Sequence, residues 1–215
     1  MNTNNNPASL LATESITLIR QYAAAAEQMG QLHPEQLKLI YTQNWFNLFV
    51  PVSLGGLGLP FPEAVRLQER LAYADASFGW TVTLCSGANW FIGFLDKQCA
   101  SSFFSDQRVC LAGSGAASGK ATVTDNSYVV NGYWKYATGA LHATAFTANC
   151  SIEKDGKLLL RNDGSPLIKA FIFRKEEVEI HNKWNSTGMK ATASHSFSVK
   201  ALQAPKDRCF IIEPD

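Results

Sequence analysis

Three short segments hold most of the residue types from which a binding or catalytic site can be made. Gly113-Ser114-Gly115-Ala116-Ala117-Ser118-Gly119 is the most conspicuous. Glycines allow close approach and expose main-chain N–H groups, so this stretch can cradle a phosphate or a flat ring. It matches neither the phosphate loop nor the dinucleotide fingerprint, because no Lys-Ser/Thr follows the last glycine and no strand–helix–strand unit comes after it. A flexible loop between strands is the competing reading. Trp134-Lys135-Tyr136-Ala137-Thr138-Gly139 reads as an aromatic strand ending in a hydroxyl and a glycine, which either lines a flat ligand or packs on helices. Trp184 to His195 is rich in hydroxyls and donors and poor in carboxylates. It suits an anionic or carbonyl-bearing ligand, and equally a solvated loop. His142, close to Thr138, can be a base, a donor or a structural histidine. Ser114, His142 and Asp125 have the types of a hydrolase triad, but no G-x-S-x-G elbow accompanies them and nothing in the spacing brings them together. No catalytic base is assigned.

Other chemistries are poorly served. Cys85, Cys99, Cys110, Cys150 and Cys209 are widely spaced, odd in number and free of any C-x-x-C pair, which reads as buried free thiols. His33, His142, His181 and His195 stand far apart, so no metal centre is expected. With 19 Lys/Arg against 18 Asp/Glu, the net charge of +1 excludes a generally basic nucleic-acid binder. There is no apolar run of membrane-spanning length, and Met1 to Asn6 lack the features of a signal peptide, so a soluble cytoplasmic protein without membrane contact is expected.

The elements that must position these segments fall into two halves. Residues 1–105 hold only five Lys/Arg and seven Asp/Glu, and helices so poor in charge are usually covered on more than one face. Apolar residues at 3.6-residue spacing predict a helix from Ala8 to Met29 stopped by Gly30, then helices from Pro34 to Tyr41 and from Pro62 to Ala74. Asp75 or Ser77 should cap an apolar helix to about Phe94, and Lys97 to Phe104 a short fifth. After Asp106 the pattern alternates. Asn131-Gly132 and Asp155-Gly156 predict two-residue hairpin turns, and further strands are expected at Ile168 to Phe173, Val178 to His181, Ser196 to Leu202 and Cys209 to Ile212. The fold class is therefore α+β: an all-α domain over 1–105, then a small antiparallel β-barrel or sandwich over 106–215.

In order, these segments resemble the acyl-CoA dehydrogenase superfamily of flavoproteins. Phe49-Val50-Pro51 with Leu54-Gly55-Gly56-Leu57-Gly58-Leu59, Glu69-Arg70-Leu71-Ala72 and Asp75-Ala76-Ser77-Phe78-Gly79-Trp80 are similar to its N-terminal domain. Val109 to Gly119 stands where its middle β-barrel has the flavin-contacting strand and glycine-rich turn, Asn131-Gly132 opens the strand to Tyr136-Ala137-Thr138, and Gly188-Met189-Lys190-Ala191-Thr192 stands for a later loop. The resemblance implies that Leu111, Ala112, Gly113 and Ser114 offer main-chain donors to a flavin, FAD or alternatively FMN, with Tyr136 and Thr138 packing and hydrogen-bonding at its ring. It also implies a homo-dimer or homo-tetramer and, as the main reading, hydride transfer from an acyl-CoA thioester to the flavin. Ala112-Gly113-Ser114-Gly115, Trp134-Lys135-Tyr136-Ala137-Thr138-Gly139 and Leu141-His142-Ala143 look more like the reduced-flavin-dependent monooxygenase branch. A flavin reductase or an electron-transfer protein is the expected partner; in the monooxygenase alternative it is the reductase, the substrate is aromatic, and His142 and Trp184 line the substrate pocket. The family's C-terminal helical bundle has no counterpart in these 215 residues. A third expectation is a cofactor-free remnant that serves as an oligomerisation or binding module.

Overall fold

The structure is a computed structural model that describes residues 11–105 and 108–212. The start of the first expected helix at Ala8 and the expected domain border at Asp106 lie outside the described residues. The chain forms two compact units: residues up to Trp90 together with Asn185–Ala193, and Phe91–Trp184 together with the chain from Ser194 on.

The first unit contains α1 (Thr13–Met29), α2 (Pro34–Thr42), α3 (Phe61–Ala74) and α4 (Ala76–Asn89). Local chemistry sets their ends. Gly30 closes α1 in the left-handed conformation, φ 67°, which costs glycine nothing. His33 and Gln36 form a reciprocal capping box at the start of α2: His33 Nδ1 accepts the Glu35 N–H at 3.2 Å and Gln36 Oε1 the His33 N–H at 3.1 Å. The Asp75 carboxylate accepts the Phe78 N–H at 2.7 Å and so caps α4. Gly79 has no Cβ because one would fall on the Ala72 backbone, which lets α4 lie close on α3. The buried face of α4 includes Phe78, Val82 and Cys85, and the side-chain amide of its polar Asn89 donates to Asn47 Oδ1 at 2.8 Å. Instead of continuing to Phe94 as an α-helix, the chain tightens at Trp90–Phe94 into a 3-10 stretch.

The second unit begins with α5 (Lys97–Phe103), then β1 (Leu111–Val123), β2 (Ser127–Ala137), β3 (Ala145–Lys154), β4 (Lys157–Leu158), β5 (Ile168–Arg174), β6 (Glu179–His181), β7 (His195–Pro205) and β8 (Cys209–Phe210). They form one sheet in the order β6-β7-β2-β1-β3-β5-β8, with β4 paired to β3. The expectation of a wholly antiparallel sheet is corrected here: β1 and β3 run parallel. β2 folds back on one side of β1, and the turn from Thr138 to Thr144 then carries the chain to the other side. Trp134 of β2 lies 6.1 Å from Phe173 of β5, and Phe197 of β7 lies 4.8 Å from Phe146 of β3. Each pair belongs to strands three places apart, roughly 14 Å in a flat sheet. The sheet therefore curls around one aromatic core, where Trp134, Phe146, Phe171, Phe173 and Phe197 are fully buried.

Asn131-Gly132 is not a turn, another correction. β2 runs straight through it, and the β1–β2 turn is Asp125-Asn126, closed by Thr124 and Ser127. The Asn131 side-chain Oδ1 instead accepts the Ala201 N–H of β7 at 2.8 Å. Gly132 and Gly119 both lie under the Trp134 indole, where any Cβ would collide. These glycines make room for an aromatic ring. Asp155-Gly156 does form its hairpin turn, with φ 51° and 74°.

Candidate functional site

Two bulges on neighbouring strands, β1 and β2, create an irregular rim; a third irregularity lies on β7, where an extra residue opposite Asn131 puts Ala201 at φ 47°. β1 pairs in parallel with β3 through Ser114↔Ala148 and resumes only at Gly119↔Cys150, so five steps of β1 oppose two of β3. Gly115, Ala116, Ala117 and Ser118 belong to this bulge, and all four are exposed. The expected loop over Gly113–Gly119 is thus a bulged strand. Gly113 is needed because a Cβ there would strike Thr147 of β3. The Asn149 amide donates to the Gly115 carbonyl at 2.9 Å, and the Ser118 hydroxyl to the Tyr133 carbonyl at 2.8 Å, which pins the bulge at both ends. β2 meets β1 in register only from Lys120↔Asn131 to Val123↔Tyr128. Over Gly113–Ser118 the second edge of β1 therefore has no ladder partner among the described residues.

The second bulge is on β2. Trp134↔Phe197 is followed by Ala137↔His195, one extra residue on β2. Tyr136 absorbs it at φ 64°, a conformation an aromatic residue seldom adopts. The residue is 68% exposed, and its ring meets Trp184 edge to face at 6.2 Å. Bulges of this kind re-aim a side chain, and local strain of about 1–3 kcal/mol persists where the surroundings enforce it.

Beside them the chain turns inward. Thr138 is buried, and its Oγ1 shares a hydrogen bond with the Ser194 hydroxyl at 3.0 Å. The Trp184 N–H donates to His195 Nδ1 at 3.1 Å, so the two ends of the segment from Trp184 to His195 are clamped together. Burial holds the His195 imidazole below its ordinary value, which keeps Nδ1 available as an acceptor. His142 stands on the turn that follows Thr138, its N–H bonded to the Gly139 carbonyl at 2.8 Å. Burial, and then the Lys175 ammonium, push its imidazole down to about 4. His142 is accordingly neutral near pH 7, able to donate through one nitrogen and accept through the other.

Of the residues singled out in the sequence, the structure brings Tyr136 to Trp184 and places Leu111, Ala112, Gly113 and Ser114 on the part of β1 that leads into the bulge. Ser114 and Asp125 are no triad: Ser114 pairs with Ala148 and Thr122 with Glu153, five steps of β3 or roughly 17 Å apart, and Asp125 lies beyond Thr122 in the turn. Ser194 was missed, because its partner Thr138 is 56 residues away and no local pattern marks it. Two of the buried thiols are held protonated: burial pushes Cys150 up to about 12 and Cys99 up to about 11.

The arrangement suits a flavin on physical grounds. A flat ring rimmed with carbonyl and nitrogen acceptors needs exposed main-chain donors, small residues that permit close approach, and an aromatic neighbour. The Gly113–Ser118 edge and the Tyr136–Trp184 pair supply these three features.

Comparison with known proteins points the same way. Residues 12–93 match the family Acyl-CoA dehydrogenase, N-terminal domain. The oxygenase subunit HsaA of a flavin-dependent monooxygenase from Mycobacterium tuberculosis is 30% identical over 191 residues, covering 88% of this chain and 47% of the relative. The oxygenase component of an FADH2-dependent resorcinol hydroxylase from Rhizobium is 23% identical over 192 residues, covering 89% and 46%. The structure of XiaF from Streptomyces, solved with FADH2 and glycerol, superposes with a TM-score of 0.83 at 22% identity, covering 93% and 49%. The chain spans about half the length of these relatives. Their names favour the monooxygenase alternative over hydride transfer from an acyl thioester. Residues 12–93 thus belong to the acyl-CoA dehydrogenase N-terminal domain family, and the chain has the fold of the acyl-CoA dehydrogenase superfamily.

Proposed function

We propose that this chain carries one wall of the flavin site in the oxygenase component of a two-component monooxygenase. That component receives reduced flavin from a separate reductase and hydroxylates an aromatic small molecule. The observation that carries the reading is the pair of adjacent bulges, which exposes unladdered backbone at Gly115–Ser118 beside the strained Tyr136. The relatives named as a flavin-dependent monooxygenase's oxygenase subunit and an FADH2-dependent hydroxylase's oxygenase component support it. FAD is the proposed cofactor, with FMN the alternative.

When bound, the reduced flavin supplies two electrons for activating dioxygen, so that one oxygen atom enters the substrate and the other leaves as water. The chain's own residues bind, orient and exclude water. Gly113 and Ser114 present main-chain donors to the ring's acceptor edge, and Tyr136 with Trp184 covers an apolar face. Thr138, held by Ser194, presents a fixed hydroxyl at the ring. His142, neutral at working pH, can hydrogen-bond a phenolic substrate without placing a positive charge beside it. Domain limits of 1–105 and 106–215 and a homo-oligomeric assembly belong to the same proposal.

The test compares two assays on the full gene product: reduced FAD or FMN with dioxygen and a panel of phenols, and acyl-CoA with an artificial electron acceptor. Hydroxylated phenol with flavin turnover is expected. Turnover only with acyl-CoA, or no flavin binding at all, overturns the proposal.

A further inference from the structure

We infer that Glu27, in the last turn of α1, is a positioning residue for the candidate site, acting through the segment 185–193. This rests on the reading of Tyr136, Thr138 and Trp184 as part of a flavin wall. The Glu27 carboxylate spans two successive backbone donors more than 160 residues away in sequence: Oε2 accepts the Lys190 N–H at 3.0 Å and Oε1 the Ala191 N–H at 3.2 Å. Oε1 also accepts the hydroxyl of Ser77, a buried residue in the first turn of α4, at 2.5 Å.

The segment that Glu27 holds is strained. A 3-10 turn, Lys190–Thr192, is flanked by Met189 at φ 57° and Ala193 at φ 46°, two non-glycine residues in the left-handed region. Its internal bonds include the Ser186 hydroxyl to the Gly188 carbonyl, the Thr192 N–H and hydroxyl to the Met189 carbonyl, and the Ala193 N–H to the Lys190 carbonyl. Such strain endures only where outside contacts enforce the conformation, and a carboxylate across two N–H groups makes charge-assisted bonds of the stronger kind. Burial alone would raise the Glu27 carboxyl, but the bonds from Ser77, Ala191 and Lys190, helped by the Lys190 charge, hold it below its ordinary value. It is therefore ionised and fully accepting at neutral pH.

Both ends of the segment run into the candidate site. Trp184, whose ring meets Tyr136, precedes it, and Ser194, whose hydroxyl meets Thr138, follows it. Glu27 fixes the middle of the segment, and the chain joins that segment directly to Trp184 and Ser194. With its middle released, the Met189 and Ala193 strain relaxes, and Trp184 and Ser194 are held only by their own contacts.

The test uses Glu27→Ala, Glu27→Gln and, as a control that removes the third bond without touching the segment, Ser77→Ala. Trypsin cleavage after the exposed Lys190 is followed by mass spectrometry, and flavin affinity by fluorescence quenching, with melting temperatures recorded alongside. In Glu27→Ala, cleavage after Lys190 should rise and flavin affinity fall, each roughly tenfold, as expected for lost hydrogen bonds to a charged group. Glu27→Gln, which keeps one acceptor oxygen, should recover part of both, and Ser77→Ala should match the wild type in both. If Glu27→Ala does not fold, the same two readouts on Glu27→Gln decide. Wild-type cleavage in the Glu27 variants, equal effects in Ser77→Ala, or faster cleavage with unchanged flavin affinity would each overturn the inference. A wild type that binds no flavin brings down the flavin reading instead, and the cleavage readout then shows separately whether Glu27 holds the segment.

Discussion

Trp134 and Tyr136 stand two residues apart on β2 and meet opposite fates. Trp134 is fully buried, donates its indole N–H to the Asn149 carbonyl at 3.0 Å, stacks on Phe197 at 5.2 Å, and has two glycines beneath it. Tyr136 is exposed, sits at φ 64°, and touches Trp184 only edge on. In the core every neighbour is shaped around the ring, whereas at the rim the backbone is distorted so that a ring faces outward. Packing explains the first arrangement completely and the second not at all. Regions where local rules are broken without a packing benefit are where a binding role belongs.

This contrast yields a graded series of expected effects on stability. Trp134→Ala should be the most damaging, at about 3–5 kcal/mol, since it empties the centre of the aromatic core; chemical denaturation measures it. A loss below about 1 kcal/mol would mean that the core is not organised around this ring.

Next in size is a pH effect at the turn beside the rim. The folded state holds His142 at about 4 instead of 6.5, so the unfolded chain takes up a proton at higher pH than the folded one. This contribution to stability is whole above about pH 6.5 and is lost as the pH falls towards 4. It amounts to roughly 2 kcal/mol once partial exposure is allowed for. His142→Asn, which does not titrate, should flatten that part of the stability-against-pH curve.

Thr138→Val should cost about 1–2 kcal/mol, because it removes a partner of the buried Ser194 hydroxyl. The double variant Thr138→Val, Ser194→Ala should cost less than the sum of the two single changes, which a double-mutant cycle reads directly. Smallest of all is Tyr136→Gly. Glycine accepts φ 64° without strain, and little buried surface is lost, so stability should hold or rise by up to about 1 kcal/mol. A clear loss would place Tyr136 with the core instead of the rim.

Local signals made much of the fold legible. Gly30 stops α1, Pro34 opens α2, Asp75 caps α4 and Asp155-Gly156 turns a hairpin, each through chemistry contained within a few residues. Asn131-Gly132 misled because its role is set from a distance, by the Trp134 ring and by Ala201 on another strand. The parallel β1–β3 pairing was hidden for the same reason, as strand order is not written in alternation. At the candidate site, Tyr136, Thr138 and Trp184 stood out by residue type and by resemblance. Ser194 and Glu27 could not, because each acquires its meaning only from a partner 50 or more residues away.

The most direct test is flavin affinity measured against stability in one variant. Wild-type and Tyr136→Gly full gene products are titrated with FAD and FMN, reduced under anaerobic conditions and oxidised in air, while unfolding is followed in the same buffer. The rim reading expects tight binding of reduced flavin by the wild type. It also expects at least about a tenfold loss in Tyr136→Gly, equal to 1.4 kcal/mol, with stability unchanged or higher. Equal affinity in the two proteins, or a wild type that binds neither flavin, would contradict it.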